Sequence, residues 1–187
     1  MVGQIAAIVH SLDVSHLADI VPGHDTRQTH AEARLEIFSD CEEPELREAH
    51  AWCLKHLPPA EPSTLLHGDL LGQNILLDWE GPPAVIDWEY AQRGDPAYDL
   101  AIVTRGVRRP FQIDRGLERL LDSYWAAGGA QVTQQHVYLY ELCLVAGEYR
   151  VSLEGEGGHA PEQVMARLRS VLRRVTHSTD SRSGPVA

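Results

Sequence analysis

The stretch that decides the fold runs from residue 65 to residue 101 and reads LLHGDLLGQNILLDWEGPPAVIDWEYAQRGDPAYDLA. It sets polar and acidic residues around two short apolar runs, Ile75–Leu77 and Ala84–Ile86. The segment Trp79–Pro82, which contains a Gly-Pro break, separates the runs, and this pattern is typical of a β-hairpin. We therefore expect a hairpin with polar side chains gathered at its open end.

A symmetric turn in this hairpin would pair Ile75 with Ile86 and place Asn74 opposite Asp87. Directly opposed residues share a face of the ribbon, with Cβ atoms about 5 Å apart. Asp69 lies close before Asn74, on the loop that enters the hairpin. Carboxylate and amide oxygens are ligands that suit a hard cation such as Mg²⁺. The residues thus predict a magnesium site formed by Asn74 and Asp87, with a third carboxylate nearby.

Three motifs in this stretch, H-G-D-x-x-x-x-N, I-D-W-E and G-D-P-x-x-D-L-A, resemble the aminoglycoside phosphotransferase and choline-kinase-like family. The resemblance is close over residues 65–101 and loose over the whole chain. It implies a protein-kinase-like fold and transfer of the γ-phosphate of ATP to a hydroxyl of a small molecule. It also implies Asp69 as the catalytic base and Asn74 and Asp87 as the residues that hold Mg²⁺.

The same resemblance gives supporting roles to four further residues. His67 and Asp99 are expected to support the site structurally, and Trp88 and Glu89 are expected to shape its pocket.

Each of the three principal residues also has a purely structural alternative when it is taken alone. Asp69 could be a turn carboxylate, Asn74 a turn residue before a strand, and Asp87 a cap at a strand end. The order and spacing of the three motifs favour the functional interpretation. A zinc site is disfavoured, because no H-x-x-x-H or H-E-x-x-H spacing occurs near Asp69.

Apolar periodicity outside the hairpin predicts helices, so the fold class is α+β and mainly helical, like the C-terminal lobe of a protein-kinase-like fold with a small hairpin carrying the chemistry. We expect residues 1–176 to form this catalytic and substrate lobe and residues 177–187 to be a disordered tail. The predicted helices span residues 2–10, 27–39, 43–57, 96–106, 112–127, 133–153 and 161–176.

Two features of a complete kinase of this type are missing from the sequence. No glycine-rich phosphate loop precedes residue 65, and the only lysine, Lys55, lies in a predicted helix. We therefore expect the N-terminal ATP-binding lobe to be largely absent, through truncation, a misassigned start codon, or reliance on a partner or self-association. The alternative function is an inactive relative that serves as a ligand-binding or interaction module.

The amino-acid composition limits the classes of partner that we expect this protein to bind. A net charge of −11, from 27 acidic and 16 basic residues, argues against a nucleic-acid surface. No apolar run reaches the roughly 20 residues of a membrane span, and three cysteines without a C-x-x-C pattern fit a reducing compartment, so we expect a cytoplasmic protein. The expected substrate is a small molecule with a hydroxyl, of which a cationic amino-sugar is one class, with antibiotic resistance as the implied role. Glu141 and Glu148 are either a lining for such a cation or a solvated helix face.

Overall fold

The computed structural model describes residues 1–14, 19–78, 81–105 and 115–180 of the 187-residue chain. These residues form a mainly helical α+β domain, as the apolar periodicity predicted. The helices are α1 (Val2–His10), α2 (Arg27–Leu35), α3 (Pro44–Leu54), α4 (Ala97–Arg105), α5 (Gly116–Ala126), α6 (Gln134–Leu153) and α7 (Pro161–Asp180), with 3₁₀ turns at Glu36–Phe38 and Gly72–Asn74. The strands are β1 (Thr64–Leu66), β2 (Ile75–Leu76), β3 (Ala84–Val85) and β4 (Gln92–Gly94).

Helix α6 is the centre of the core. Its sequence is apolar on nearly every side, and it packs against both α4 and α7. It begins with a capping box, in which the Thr133 side chain accepts from the His136 N–H and the His136 ring reaches back to the Thr133 N–H. Such a cap stabilises a helix by about 1 kcal/mol. The prediction of a buried central helix is confirmed.

The helix boundaries follow the sequence pattern closely, with two instructive differences. The segment predicted as one helix over 27–39 ends as an α-helix at Leu35 and tightens into a 3₁₀ turn. Helix α7 continues to Asp180, four residues beyond its predicted end at 176, so the segment predicted as a disordered tail starts inside a helix. The rest of that predicted tail, residues 181–187, lies outside the described residues, as do residues 106 and 112–114 of two predicted helices.

The hairpin forms, but its predicted register is wrong by one residue. Ile75 pairs with Val85 rather than Ile86, and Leu76 pairs with Ala84. The symmetric turn would need a ladder position at Pro83, which has no N–H to donate. The ladder therefore stops short of Pro83, and Asn74 faces Ile86, whose N–H donates to the Asn74 carbonyl at 3.0 Å.

A second antiparallel pair, β1 with β4, was not predicted from the sequence. Leu66 pairs with Gln92 and Thr64 pairs with Gly94. Strand β1 ends directly before His67, and β4 leads through Asp95 into α4. This short sheet thus brings the two outer motifs of the deciding stretch side by side.

A buried ion pair ties α2 to the start of α4. Arg27 is 1% exposed and donates through Nε to Asp95 Oδ1 at 3.0 Å and through Nη1 to Glu61 at 2.7 Å. Asp95 Oδ1 also caps α4 by accepting from the Ala97 N–H. Burial raises the pKa of Asp95, and the Arg27 charge opposes that shift.

No helix in the described part of the chain combines the length and apolar content needed to cross a lipid bilayer.

Candidate active site

The segment His67–Asn74, here called the HGD loop, brings Asp69 and Asn74 into direct contact. Asn74 Nδ2 donates to the Asp69 carboxylate at 3.0 Å and to the Asp69 carbonyl at 2.8 Å. The loop folds this way because Leu71 N–H bonds back to the Asp69 carbonyl and a 3₁₀ turn then carries the chain round to Asn74. Asn74 is 5% exposed whereas Asp69 is half-buried, so the carboxylate is the more accessible of the two groups.

His67 connects the HGD loop to the open end of the hairpin. Its Nδ1 accepts from the Asp69 N–H at 3.2 Å, so Nε2 carries the proton and donates to the Ile86 carbonyl at 2.9 Å. The Trp88 ring lies against His67, with ring centroids 4.7 Å apart, and Trp88 Nε1 donates to the Val85 carbonyl at 3.0 Å. His67 and Trp88 thus both bind neighbouring backbone groups, and their rings lie against each other.

The side chain of Asp99, in α4, binds the backbone of the HGD loop. Its two carboxylate oxygens accept from the His67 N–H at 2.8 Å and from the Gly68 N–H at 2.9 Å. Asp99 has no exposed surface. An alternative explanation for Asp99, a favourable charge in the first turn of a helix, does not require these two contacts.

Position 68, between these residues, requires a glycine because of its backbone conformation and a close backbone neighbour. Its φ is +81°, and a Cβ placed there would lie 2.2 Å from the Tyr90 carbonyl oxygen. The HGD loop and the segment after β3 therefore approach each other more closely than any side chain at position 68 permits.

Asp87 lies where the hairpin ends. Ile86, directly before it, is bonded on both sides, to the Asn74 carbonyl through its N–H and to His67 through its carbonyl. Asp87 itself has a φ of +68°, which is uncommon for a residue with a side chain. Its side-chain direction follows from this left-handed backbone rather than from strand alternation. Asp87 and Glu89 are both exposed.

The oxygen donors of this region are of the type that a hard cation requires. Asn74 uses its Nδ2 on Asp69, which leaves the amide oxygen for another partner, and Asp87 offers an exposed carboxylate. Within residues 1–14, 19–78, 81–105 and 115–180, no three His, Cys, Asp or Glu side chains gather in a way that could hold a metal ion. A site of one amide and one carboxylate, completed by phosphate and water oxygens, fits the donors present.

The two glutamates of α6 have neighbouring cations of their own. Glu141 accepts from Arg174 at 2.8 Å, and Glu148 accepts from Arg167 at 2.6 Å. Both arginines belong to α7, so these glutamates join two packed helices.

A sequence profile of known proteins covers this whole site. The profile described as the phosphotransferase enzyme family matches residues 2–138. The chain belongs to the phosphotransferase enzyme family.

Solved structures of other phosphotransferases share the fold of this phosphotransferase-family chain. Macrolide 2'-phosphotransferase type I superposes with a TM-score of 0.65 at 23% identity, over 89% of this chain and 58% of that one. APH(2")-IIia, solved with GDP and kanamycin, gives 0.62 at 15% identity, over 92% and 63%. Choline kinase LicA from Streptococcus pneumoniae gives 0.60 at 18% identity, over 92% and 63%. The expected kinase-like fold is therefore confirmed.

A further relative is much longer than this phosphotransferase-family chain. Acyl-CoA dehydrogenase family member 10 of Mus musculus is 24% identical over 159 residues, which cover 71% of this chain and 15% of that protein. The chain thus spans less than two thirds of the length of each of these four relatives.

Sequence reasoning missed two residues that belong to the surroundings of the site. His10, at the end of α1, bonds Asp99, and Tyr124 of α5 bonds His10. The sequence did contain a signal for His10, because this histidine falls within the apolar pattern of residues 2–10. A polar side chain buried in such a pattern needs a hydrogen-bond partner elsewhere in the fold.

Proposed function

We propose that this phosphotransferase-family chain is the catalytic lobe of an enzyme that transfers the γ-phosphate of ATP to a hydroxyl of a small molecule. The observation that carries the proposal is the Asp69–Asn74 contact at 3.0 Å on a loop whose backbone Asp99 holds in place. Phosphoryl transfer depends mainly on positioning and on charge stabilisation, so a rigid, accessible carboxylate is the group such a site needs.

Asp69 is proposed to orient the attacking hydroxyl and accept its proton. One oxygen, Oδ2, is engaged by Asn74, which fixes the plane of the carboxylate. The other oxygen is then the one that receives the substrate proton. Because His67 uses both ring nitrogens on backbone groups, it is proposed to position Asp69 rather than to move a proton itself.

Asn74 and Asp87 are proposed to hold Mg²⁺. When bound, the metal neutralises charge on the phosphate oxygens. The left-handed backbone of Asp87 supports this proposal, because such strain costs on the order of 1–3 kcal/mol and clusters at functional sites.

The outer face of the hairpin offers an apolar surface beside these residues. Ile75 and Val85 turn inward against the core, which directs Leu76, Ala84 and Ile86 outward. Leu76 is 51% exposed and Ile86 is 41% exposed. We assign this face to the flat apolar part of the nucleotide, with its phosphates directed toward Asn74.

An interaction module is the second candidate, and one observation favours it. A groove of about 770 Å³ lies between α1 and the hairpin, and its apolar side chains Met1, Ile8 and Leu77 are each about 60% exposed. An exposed apolar surface of this kind is typical of a docking site. In the enzyme interpretation the same groove receives the ATP-binding lobe; in the second it receives another protein.

The test compares four proteins in an ATP- and Mg²⁺-dependent assay against amino-sugars, amino-alcohols and macrolides, with phosphorylated product detected by mass spectrometry. We expect little turnover from the 187-residue chain, because it lacks a glycine-rich loop and the corresponding lysine. We expect turnover from any longer in-frame product that includes those elements. In that product Asp69→Asn should lower kcat by roughly 10²–10⁴-fold without changing the unfolding midpoint.

Asp122→Asn is the matched control, since Asp122 is an exposed carboxylate on α5. It should leave kcat unchanged. A longer product that carries both missing elements yet transfers no phosphate to any acceptor would favour the interaction module. Asp69-dependent turnover by the 187-residue chain alone would contradict the need for a second lobe.

A further inference from the structure

A second cavity, separate from the groove beside the hairpin, lies between α2, α4 and α6. Its volume is about 280 Å³, near the lower limit of the roughly 300–1,000 Å³ that small-molecule sites occupy. Its walls include the apolar side chains of Ile37, in the 3₁₀ turn after α2, and Leu144, on α6. Among its described lining residues only Arg34, on α2, carries a charge, and we call the cavity the Arg34 pocket.

The guanidinium of Arg34 is half-buried and is held by neutral groups. Its Nη2 donates to the side-chain oxygen of Gln92 at 2.9 Å, and its Nε donates to His30 Nε2 at 3.3 Å. Its Cζ lies 4.5 Å from the centre of the Tyr98 ring, which is the geometry of a cation–π contact. Burial, and to a smaller extent the charge of Arg34, lowers the pKa of His30 to about 3, so this imidazole is neutral near pH 7.

The charge of Arg34 is not neutralised by an ion pair. In the described part of the chain, no carboxylate oxygen lies within 4 Å of its guanidinium, whereas Arg27, Arg93 and Arg174 each bind a carboxylate at 3.0 Å or less. A cation that is partly withdrawn from water loses hydration, and proteins usually offset that cost with an anion. In a chain with a net charge of −11, a half-buried cation without an anion indicates that a ligand supplies one.

The guanidinium keeps hydrogen-bond donors for such a ligand. It has five N–H groups, and Nη1, which carries two of them, has no hydrogen-bond partner among the residues that the structure describes. Nη1 and the second N–H of Nη2 form the planar fork that matches the two oxygens of a carboxylate. Because the Tyr98 ring covers one face of the guanidinium, a pair formed there would be less exposed to water than one on an open surface.

We propose that the Arg34 pocket binds a small organic acid, with its carboxylate on Arg34 and its apolar part against Ile37 and Leu144. The proposal concerns binding and does not rest on the proposed phosphoryl transfer. The pocket nevertheless adjoins the candidate active site, because Gln92, which binds Arg34, pairs with Leu66, the residue directly before the HGD loop.

The test is a heteronuclear NMR titration of the full 187-residue chain with hexanoate, hexanol and hexylamine, which share one hydrocarbon chain and differ in charge. Hexanoate should shift the amides of Arg34, Leu144 and Gly147 in a saturable way, and hexylamine should not. Hexanol should bind about tenfold more weakly than hexanoate, because it cannot form the charge-assisted pair. Equal affinities for all three compounds, or no saturable shift with hexanoate, would overturn the proposal.

Substitution of the arginine separates the pocket from the overall charge of the chain. Arg34→Gln should weaken hexanoate binding about tenfold and leave hexanol binding nearly unchanged, so that hexanol reports whether the pocket is intact. Arg47→Gln is the matched control, because it removes the same charge from an exposed position on α3. Equal losses of hexanoate affinity in the two variants would show that only the net charge matters and would overturn the proposal.

A further variant leaves the guanidinium in place and fills the pocket. A Cβ at Gly147, on α6, would meet no atom nearer than Ile37 at 3.8 Å, so a side chain can be added there without a clash at its base. Gly147→Leu should keep the helical circular dichroism signal and abolish the binding of both hexanoate and hexanol. Hexanoate affinity that survives in a folded Gly147→Leu chain would place the acid elsewhere and refute the assignment.

Discussion

Gly68→Ala is expected to destabilise the fold strongly and to disturb the HGD loop. Two costs combine at this position. A left-handed backbone costs a residue with a side chain roughly 1–2 kcal/mol. In addition, the new Cβ would lie 2.2 Å from the Tyr90 carbonyl oxygen, so the backbone must move by about 1 Å, and overpacking of this kind costs about 1–3 kcal/mol.

Gly155→Ala separates the two costs. Gly155 has a φ of +79°, nearly the same as the +81° of Gly68, but no atom lies within 4 Å of a Cβ built on it. It should therefore lose only the backbone part. With a urea m-value of about 2 kcal/mol/M, the unfolding midpoint of Gly68→Ala should lie roughly 0.5–1.5 M below that of Gly155→Ala.

Urea unfolding monitored by circular dichroism gives both midpoints, and amide chemical shifts locate the damage. Gly68→Ala should shift the amides of the HGD loop and of residues 88–91, whereas Gly155→Ala should shift only amides at the end of α6 and in the turn that leads to α7. Coincident midpoints would refute the close approach of the HGD loop to Tyr90, and with it the geometry proposed for Asp69.

Two further predictions concern buried charge. Arg27→Met should destabilise the fold by about 3–5 kcal/mol, because it leaves Asp95 buried without its guanidinium partner. Arg169→Ala, which breaks the solvent-exposed pair with Glu45, should leave the urea midpoint almost unchanged. Equal urea midpoints for the two variants would contradict this. Burial, with smaller contributions from neighbouring cations, lowers the pKa of His30 to about 3 from 6.5. Between pH 6.5 and 3, His30 is protonated in the unfolded chain but stays neutral in the folded chain. His30 should therefore lower the free energy of unfolding as the pH falls from 6.5 toward 3, by about 1.4 kcal/mol per pH unit. His30→Gln should flatten that part of the stability profile, and an unaltered slope would show that His30 titrates normally.

Much of the local structure follows from the sequence because the signals are local. The apolar stripe of residues 2–10 and the Gly-Gly after residue 127 mark helices whose ends the structure places within a few residues of prediction. The contact between Asp69 and Asn74 is also local, since one 3₁₀ turn spans the distance. These features depend on residues that are at most a few turns apart.

The register of the hairpin shows where local reasoning fails. A symmetric four-residue turn would place Asn74 opposite Asp87. Pro83 cannot take part in the ladder, and the connection between β2 and β3 is longer than four residues. The sequence did not predict the pairing of β1 with β4. A strand of only three residues, such as Thr64–Leu66, is too short for an alternation of apolar and polar residues to be recognised.

The sequence by itself determined that the chain is mainly helical and that an acidic loop and a hairpin carry its chemistry, because spacing and residue type are written along the chain. Only the tertiary structure decided which buried groups meet. His10 and Asp99 are separated by 89 positions, and Tyr124 and His10 by 114. Periodicity tells which side chains turn inward, but the partner of an inward-facing polar group is fixed by how the helices pack, and that information is spread over the whole core.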